Sequence, residues 1–336
     1  RMRTCLALLV SLWASALSAN EISLQTIDTI AFGSCNSQNK PQPLWSVIKQ
    51  DHPDIWIWTG DNVYADTQDP ALFRRAYERQ LSNLDYLDFI DSVPHVTGTW
   101  DDHDYGVNDG GSEFPAKELA KAELYRFLGV PKSEPSNSRD GEYRSAQYGT
   151  GERTVKVILL DTRWFRDPLE KTSGSNSTYL PNKTGTLLGG AQWRWLEKEL
   201  KGNTAAVTVI VSSIQLLAQE HRFEKWANFP NERARFLDLL NDYASGKTLV
   251  ISGDRHAAEI SALELSGWKS PLMDVTSSGL TNVWIRKYEE TNSLAITDKV
   301  IEPNYGLIRI NWDKPEDPVV KVSIKGQDGE LLGITL

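Results

Sequence analysis

The chain predicts an α/β fold of layered sheets covered by helices. Three observations carry that expectation. Short apolar runs rich in β-branched residues or tryptophan recur along the chain, helical patterns lie between many of them, and most runs end in a glycine or polar turn. The 336 residues are enough to bury a large core. Two cysteines exclude a disulfide-stapled mini-protein, and twelve tryptophans argue against a disordered chain. The formal charge of -9 lacks the basic footprint of non-specific nucleic-acid binding. It leaves anionic substrates open, because bound cations reverse a local field.

Residues 1–19 read as a secretory signal. Arg1 and Arg3 form a basic start, the apolar run 5–17 is short for a bilayer span, and Ser18 and Ala19 are small. Residues 20–336 are expected to form a single domain, secreted or periplasmic, monomeric and without a stable membrane span. Loss of the signal removes Cys5. Cys35 is then a lone thiol in an oxidising compartment, which burial, a partner or a metal must account for.

The elements follow in order. Strands are expected at 30–35, 54–60 and 96–100, with Trp56 and Trp58 on one face of the second. Helices are expected at 43–50, where a proline stands near the start, and at 70–81 and 116–128, where apolar residues recur at helical spacing. Further strands at 155–161, 207–213, 249–254 and 273–277 alternate with helices at 190–200 and 231–243. Late, more exposed strands fall at 305–312 and 319–325. Segments 132–141 and 171–185 read as surface loops, rich in Ser, Asn, Gly and Pro. Asn176-Ser177-Thr178 and Asn182-Lys183-Thr184 match the glycosylation pattern, which matters only in a glycosylating host. The tryptophans read mainly as packing residues.

The chemistry collects at strand ends. The first strand ends at Cys35-Asn36 and the second at Asp61-Asn62-Val63-Tyr64-Ala65-Asp66. The third ends at Asp101-Asp102-His103-Asp104, with Asn108 and Asp109 beyond, and a later one ends at Asp254-Arg255-His256. Ligands of open α/β sheets lie beyond the carboxyl ends of strands, so these segments can converge without being adjacent in sequence. Singly, each has a structural reading as a cap or turn. Together they point to a metal site.

Gly60-Asp61-Asn62-Val63-Tyr64-Ala65-Asp66, Trp100-Asp101-Asp102-His103-Asp104 and Ser252-Gly253-Asp254-Arg255-His256 resemble the alkaline phosphatase D (PhoD-like) family of calcineurin-like metallophosphoesterases. Gly33-Ser34-Cys35 and Leu160-Asp161-Thr162-Arg163, continuing to Arg166, also fit. The resemblance runs from about residue 30 to 282, and because the Gly33-Ser34-Cys35 strand comes almost directly after the expected signal, the extra β-domain that many members carry ahead of the catalytic core is not expected here. It implies a two-sheet β sandwich flanked by helices, αββα, with a metal cluster at the strand ends. By that likeness Cys35, Asp61, Tyr64 and His256 surround one metal, and Asp61 bridges to a second held by Asp102 and Asp254. The family implies Fe3+ for the first and Ca2+ for the second, with Zn2+ or Mn2+ as alternatives. His103 is expected to bond phosphate or protonate the leaving oxygen, unless Asp101 or Asp104 holds it structurally. Asn108 is expected at a metal or the phosphate. Arg255 and Arg163 read equally as phosphate clamps or salt-bridge partners of nearby acids. Ser213 and Gln215 stand where relatives often carry a metal histidine, and His221 comes too late to replace it.

The implied activity is hydrolysis of small or polymeric phosphate monoesters, diesters or both, by hydroxide activated between two metals. A secreted, tryptophan-rich carbohydrate-binding or adhesion protein with structural metal sites is the reading from another class.

Overall fold

A computed structural model describes residues 22–244, 246–285 and 289–336. The expected signal at 1–19 lies outside the described residues. The first half of the chain runs β1 (Ile22–Ser23), β2 (Thr29–Gly33), α1 (Trp45–Gln50), β3 (Ile55–Thr59), α2 (Pro70–Leu81), α3 (Leu84–Asp91), β4 (His95–Thr99), α4 (Asp102–Tyr105) and α5 (Lys117–Leu128). It continues through β5 (Arg144–Thr150), β6 (Arg153–Leu159), α6 (Gly189–Lys201), β7 (Val207–Val211), α7 (Pro230–Tyr243) and β8 (Lys247–Ser252). Then come β9 (Ala258–Leu263), β10 (Leu272–Ser277), β11 (Tyr305–Asn311), β12 (Val319–Gly326) and β13 (Gly329–Thr335).

Seven strands form one sheet, in the order β1-β5-β6-β7-β8-β10-β9, and six form the other, β13-β12-β11-β2-β3-β4. The period of two along each strand explains the layers. Ile30, Phe32 and Ile57 of one sheet pack against the layer of Val157, Val209 and Ile251 of the other. The alternate residues face outward. Ala31, Trp56 and Trp58 pack under Trp45 of α1, Tyr77 of α2, Phe89 of α3 and Leu124 of α5. Ile158, Ile210 and Val250 pack under Trp193 of α6 and Phe236 of α7. The result is the expected αββα sandwich.

Local chemistry sets the boundaries. Asp69 caps α2 by accepting from the backbone N–H groups of Ala71 and Leu72 at 2.9 Å, and Pro70 occupies the first turn. The sequence reading missed β1, β5, β9, β13, α3 and α4. β5 and β13 are only partly buried, and four of the six residues of β9, Ala-Glu-Ile-Ser-Ala-Leu, are good helix formers. No helix among the described residues is long and apolar enough to cross a membrane.

Eight of the tryptophans (45, 56, 58, 100, 164, 193, 226 and 312) are buried. Their aromatic faces are occupied by packing, which removes the main support for a sugar platform. Trp45, Trp56 and Trp58 meet edge to face with centroids 5.3 to 5.5 Å apart. Replacement of Trp58 by Ala should therefore destabilise the protein by roughly 3–5 kcal/mol, read as a lower denaturant midpoint in chemical unfolding. An unchanged midpoint would contradict the packing role.

Candidate metal centre

β2, β3 and β4 are mutually parallel, as are β6, β7, β8 and β10. Their carboxyl ends therefore gather at one end of each sheet. Two glycines let those ends approach. A Cβ on Gly253 would lie 2.4 Å from the Ser34 hydroxyl, so only glycine allows the end of β8 to meet the end of β2 across the sandwich. Gly60 adopts φ 102°, and a Cβ there would lie 2.5 Å from Cβ of Asp101. The turns continue into a costly region of backbone space: Cys35, Asp61, Asp254 and His256 all have positive φ, between 50° and 69°. Four such non-glycine residues at one site mark a backbone held there by its surroundings.

Cys35, Asp61 and His256 bring ligand atoms within 4.8 Å of one another, as do Asp61, Asp102 and His103, and Asp101, Asp102 and Asp254. Asp61 belongs to two of these groups and Asp102 to two. The Cys35 thiol donates to Asp61 Oδ2 at 3.4 Å and sits 3.0 Å from the Ser278 hydroxyl. The Tyr64 phenol donates to Asp61 Oδ2 at 3.3 Å and lies 3.0 Å from His256 Nε2. Asp104 orders the acidic turn by accepting from the backbone N–H groups of Asp61 and Asn62.

The electrostatics fit a cation. Burial pushes the Cys35 thiol up to about 11. Burial first, then the charges of Cys35 and Asp102, raise Asp61 well above the ordinary carboxylate range. Asp254 is raised likewise by burial, Asp101 and Asp102. Tyr64 is raised by burial, Cys35 and Asp61. Burial, with His103 nearby, pulls His256 down to about 4 and keeps it neutral, the form that binds metals. Asp101 Oδ2 is buried without a hydrogen-bond partner. A metal ion would reverse each penalty on an anionic ligand. Thiolate, phenolate, carboxylates and a neutral imidazole form a suitable donor set.

His103 is held by neither Asp101 nor Asp104. Its Nδ1 lies 2.7 Å from Asp66 Oδ1, and its ring lies against Tyr64 with centroids 4.2 Å apart and planes tilted by 31°. Burial lowers its pKa, but the Asp66 bond and the charges of Asp61 and Asp102 prevail and push it up to about 10. Asp66 is thus the partner of His103, a pairing that its place in the sequence does not reveal. Ser278 and Asn282 were also missed, since a serine and an asparagine in a late loop carry no sequence signal.

The arginines are salt-bridge partners. Arg163 is fully buried. Its Nε donates to Asp101 Oδ1 at 2.7 Å, its Nη2 reaches the same oxygen, and its Nη1 meets Glu224 Oε2 at 2.6 Å. Arg166 pairs with the other Glu224 oxygen at 2.9 Å. Arg255 donates to both oxygens of Glu290, at 2.7 and 2.9 Å, and its guanidinium lies 4.5 Å from the Phe223 ring centroid. Asn108 is exposed in the loop after α4, and no hydrogen bond joins it to the cluster among the described residues. Ser213 donates to Asp101 Oδ1 at 2.8 Å. Gln215 bonds Glu259, Thr276 and His221, so His221 is held away from the carboxylates.

Stacked sheets with helices outside and an acidic, thiol-bearing cluster at the strand ends define the calcineurin-like metallophosphoesterase class. The sequence model described as PhoD-like phosphatase matches residues 30–301, and the chain belongs to that family. It is 27% identical over 190 residues to alkaline phosphatase D of Bacillus subtilis (strain 168), covering 50% of this chain and 32% of the relative. The chain thus spans about a third of that relative's length. A solved structure of PhoD superposes with a TM-score of 0.71 at 18% identity, covering 96% of this chain and 69% of that one. A purple acid phosphatase from yellow lupin (Lupinus luteus) seeds gives 0.61 at 13%, covering 93% and 54%.

Arg163→Met leaves Asp101 and Glu224 buried without their shared cation. The expected cost is about 3–5 kcal/mol, measured by denaturant unfolding. A loss below about 1 kcal/mol would show that the pair is not structural.

Proposed function

We propose that this chain is a metal-dependent phosphoesterase that hydrolyses phosphate monoesters, diesters or both, in a secreted or periplasmic setting. The observation that carries the reading is the convergence of Cys35, Asp61, Tyr64 and His256 on one side and Asp102 and Asp254 on the other, around the shared Asp61. The first four residues would hold one metal, by family likeness Fe3+. Asp61, Asp102 and Asp254 would hold the second, by the same likeness Ca2+, with Zn2+ and Mn2+ as alternatives. Bound there, the metals would supply Lewis-acid polarisation of the phosphoryl oxygens and an activated water.

The side chains do the rest. Asp66 fixes the His103 ring through Nδ1, which leaves Nε2 to donate a proton to the departing oxygen. Tyr64 limits the ring's rotation from below. Ser278 holds Cys35 and accepts from the backbone N–H of His256 at 2.8 Å, coupling two ligands of the first metal. Arg163 and Ser213 fix Asp101, and the Asp109 N–H fixes Asp102 Oδ2 at 2.7 Å.

The experiment is a comparison of leaving groups. His103→Gln should lower kcat/KM by about 10²–10⁴ for an alkyl phosphate and much less for p-nitrophenyl phosphate, whose leaving group needs no proton. Equal losses on both would reject the acid role. Asp61→Ala should lose activity and bound metal together. Full metal content with normal turnover in that variant would reject the bridging role.

A further inference from the structure

We propose that Lys40, held by Asn282 beside the first metal position, reads the second negative charge of a phosphate monoester. The proposal rests on the phosphoesterase reading above and adds the substrate class.

Most cations around the centre are already neutralised. Arg163 faces Asp101 and Glu224, Arg166 faces Glu224, Arg255 faces Glu290 and Lys171 faces Asp109. Lys225 is buried, and its ammonium donates to the backbone carbonyl of Phe223. Lys40 differs from all of these. It is exposed, and its Nζ donates to the neutral amide oxygen of Asn282. Among the described residues no carboxylate pairs with it.

Its position is set by the metal-site loops. The Lys40 N–H donates to the Ser37 carbonyl at 3.1 Å, and the Ser37 N–H donates to the Thr281 hydroxyl at 2.7 Å. The Asn282 N–H donates to the Cys35 carbonyl at 3.1 Å. Gln38, on the same loop as Lys40, bonds both backbone groups of Tyr64: its Nε2 donates to the Tyr64 carbonyl and its Oε1 accepts from the Tyr64 N–H, each at 2.9 Å. Lys40 and Asn282 thus stand on two stapled loops that carry or touch Cys35 and Tyr64.

The chemistry follows from charge. A phosphate monoester carries two negative charges at alkaline pH and a diester carries one. An ammonium bound only to a neutral amide keeps its charge available. A phosphoryl oxygen can replace the amide oxygen and gain a charge-assisted bond. Lysine suits this role as a flexible point charge that needs no fixed fork geometry. The dianion gains more than the monoanion, so Lys40 acts on discrimination between the two ester classes.

The test compares kcat/KM for p-nitrophenyl phosphate and bis(p-nitrophenyl) phosphate in the metal-loaded wild type, Lys40→Gln and Lys40→Arg. The ratio of monoester to diester should fall about tenfold in K40Q, mainly through the monoester KM, and recover largely in K40R. Inorganic phosphate should bind K40Q about tenfold more weakly by calorimetry. Lys40 is exposed, so the variants are expected to fold. An unchanged ratio with unchanged phosphate affinity overturns the proposal. If the wild type hydrolyses neither ester, the phosphoesterase reading falls separately, and phosphate calorimetry still decides whether Lys40 binds the anion.

Discussion

The buried pair of Arg163 and Asp101 is the constraint on which the site depends. Asp101 follows β4 in one sheet and Arg163 follows β6 in the other, so their contact ties the two sheets together at the end where the ligands gather. Ser213, after β7, adds a third bond to the same carboxylate oxygen. Glu224 completes the charge balance of Arg163 and reaches Arg166. The Arg166 Nη2 in turn donates to the carbonyl of Asp109, whose N–H fixes Asp102. A buried pair of this kind contributes little net stability compared with an apolar substitute, but its loss leaves uncompensated charge in the core. Its value lies in position: it holds a carboxylate-bearing turn against a turn from the opposite sheet.

That frame allows an arrangement that would otherwise be unfavourable. Asp61, Asp101, Asp102, Asp104 and Asp254 crowd into a small buried volume, and four of the metal-site candidates adopt positive φ. Burial and mutual repulsion raise Asp61 and Asp254, whereas Arg163, His103 and the Asp109 N–H outweigh burial at Asp102 and hold it below its ordinary value. Neighbouring carboxylates thus differ in how tightly they hold a proton. Repulsion and strain concentrated at one place are the physical signature of a site built for a ligand of opposite charge.

The sequence made the central strands legible because both their faces are buried: β2, β3 and β7 are apolar along almost their whole length. The acidic turn at Asp61 was legible because it follows such a strand, β3, within two residues, whereas Asp102 follows β4, whose first three residues are only partly buried. Partly buried strands such as β5 and β13 were not legible, since neither carries an unbroken apolar run. α3 escaped notice because its acids, Asp85, Asp88 and Asp91, dilute the apolar stripe of Tyr86 and Phe89. The pairings of charge were the least legible feature. Arg255 and Asp254 are adjacent in sequence, yet Arg255 turns to Glu290, and His103 turns from its neighbours Asp102 and Asp104 to Asp66. Such choices are set by tertiary geometry, where several partners of similar chemistry compete.

The proposed function requires this cluster to hold metal for ester hydrolysis. Elemental analysis of the purified protein, paired with a phosphate-ester assay before and after exhaustive chelation, tests it most directly. About two bound metal ions per chain, and loss of hydrolysis when they are removed, are the expected result. Metal-free protein that hydrolyses phosphate esters at the full rate would contradict it.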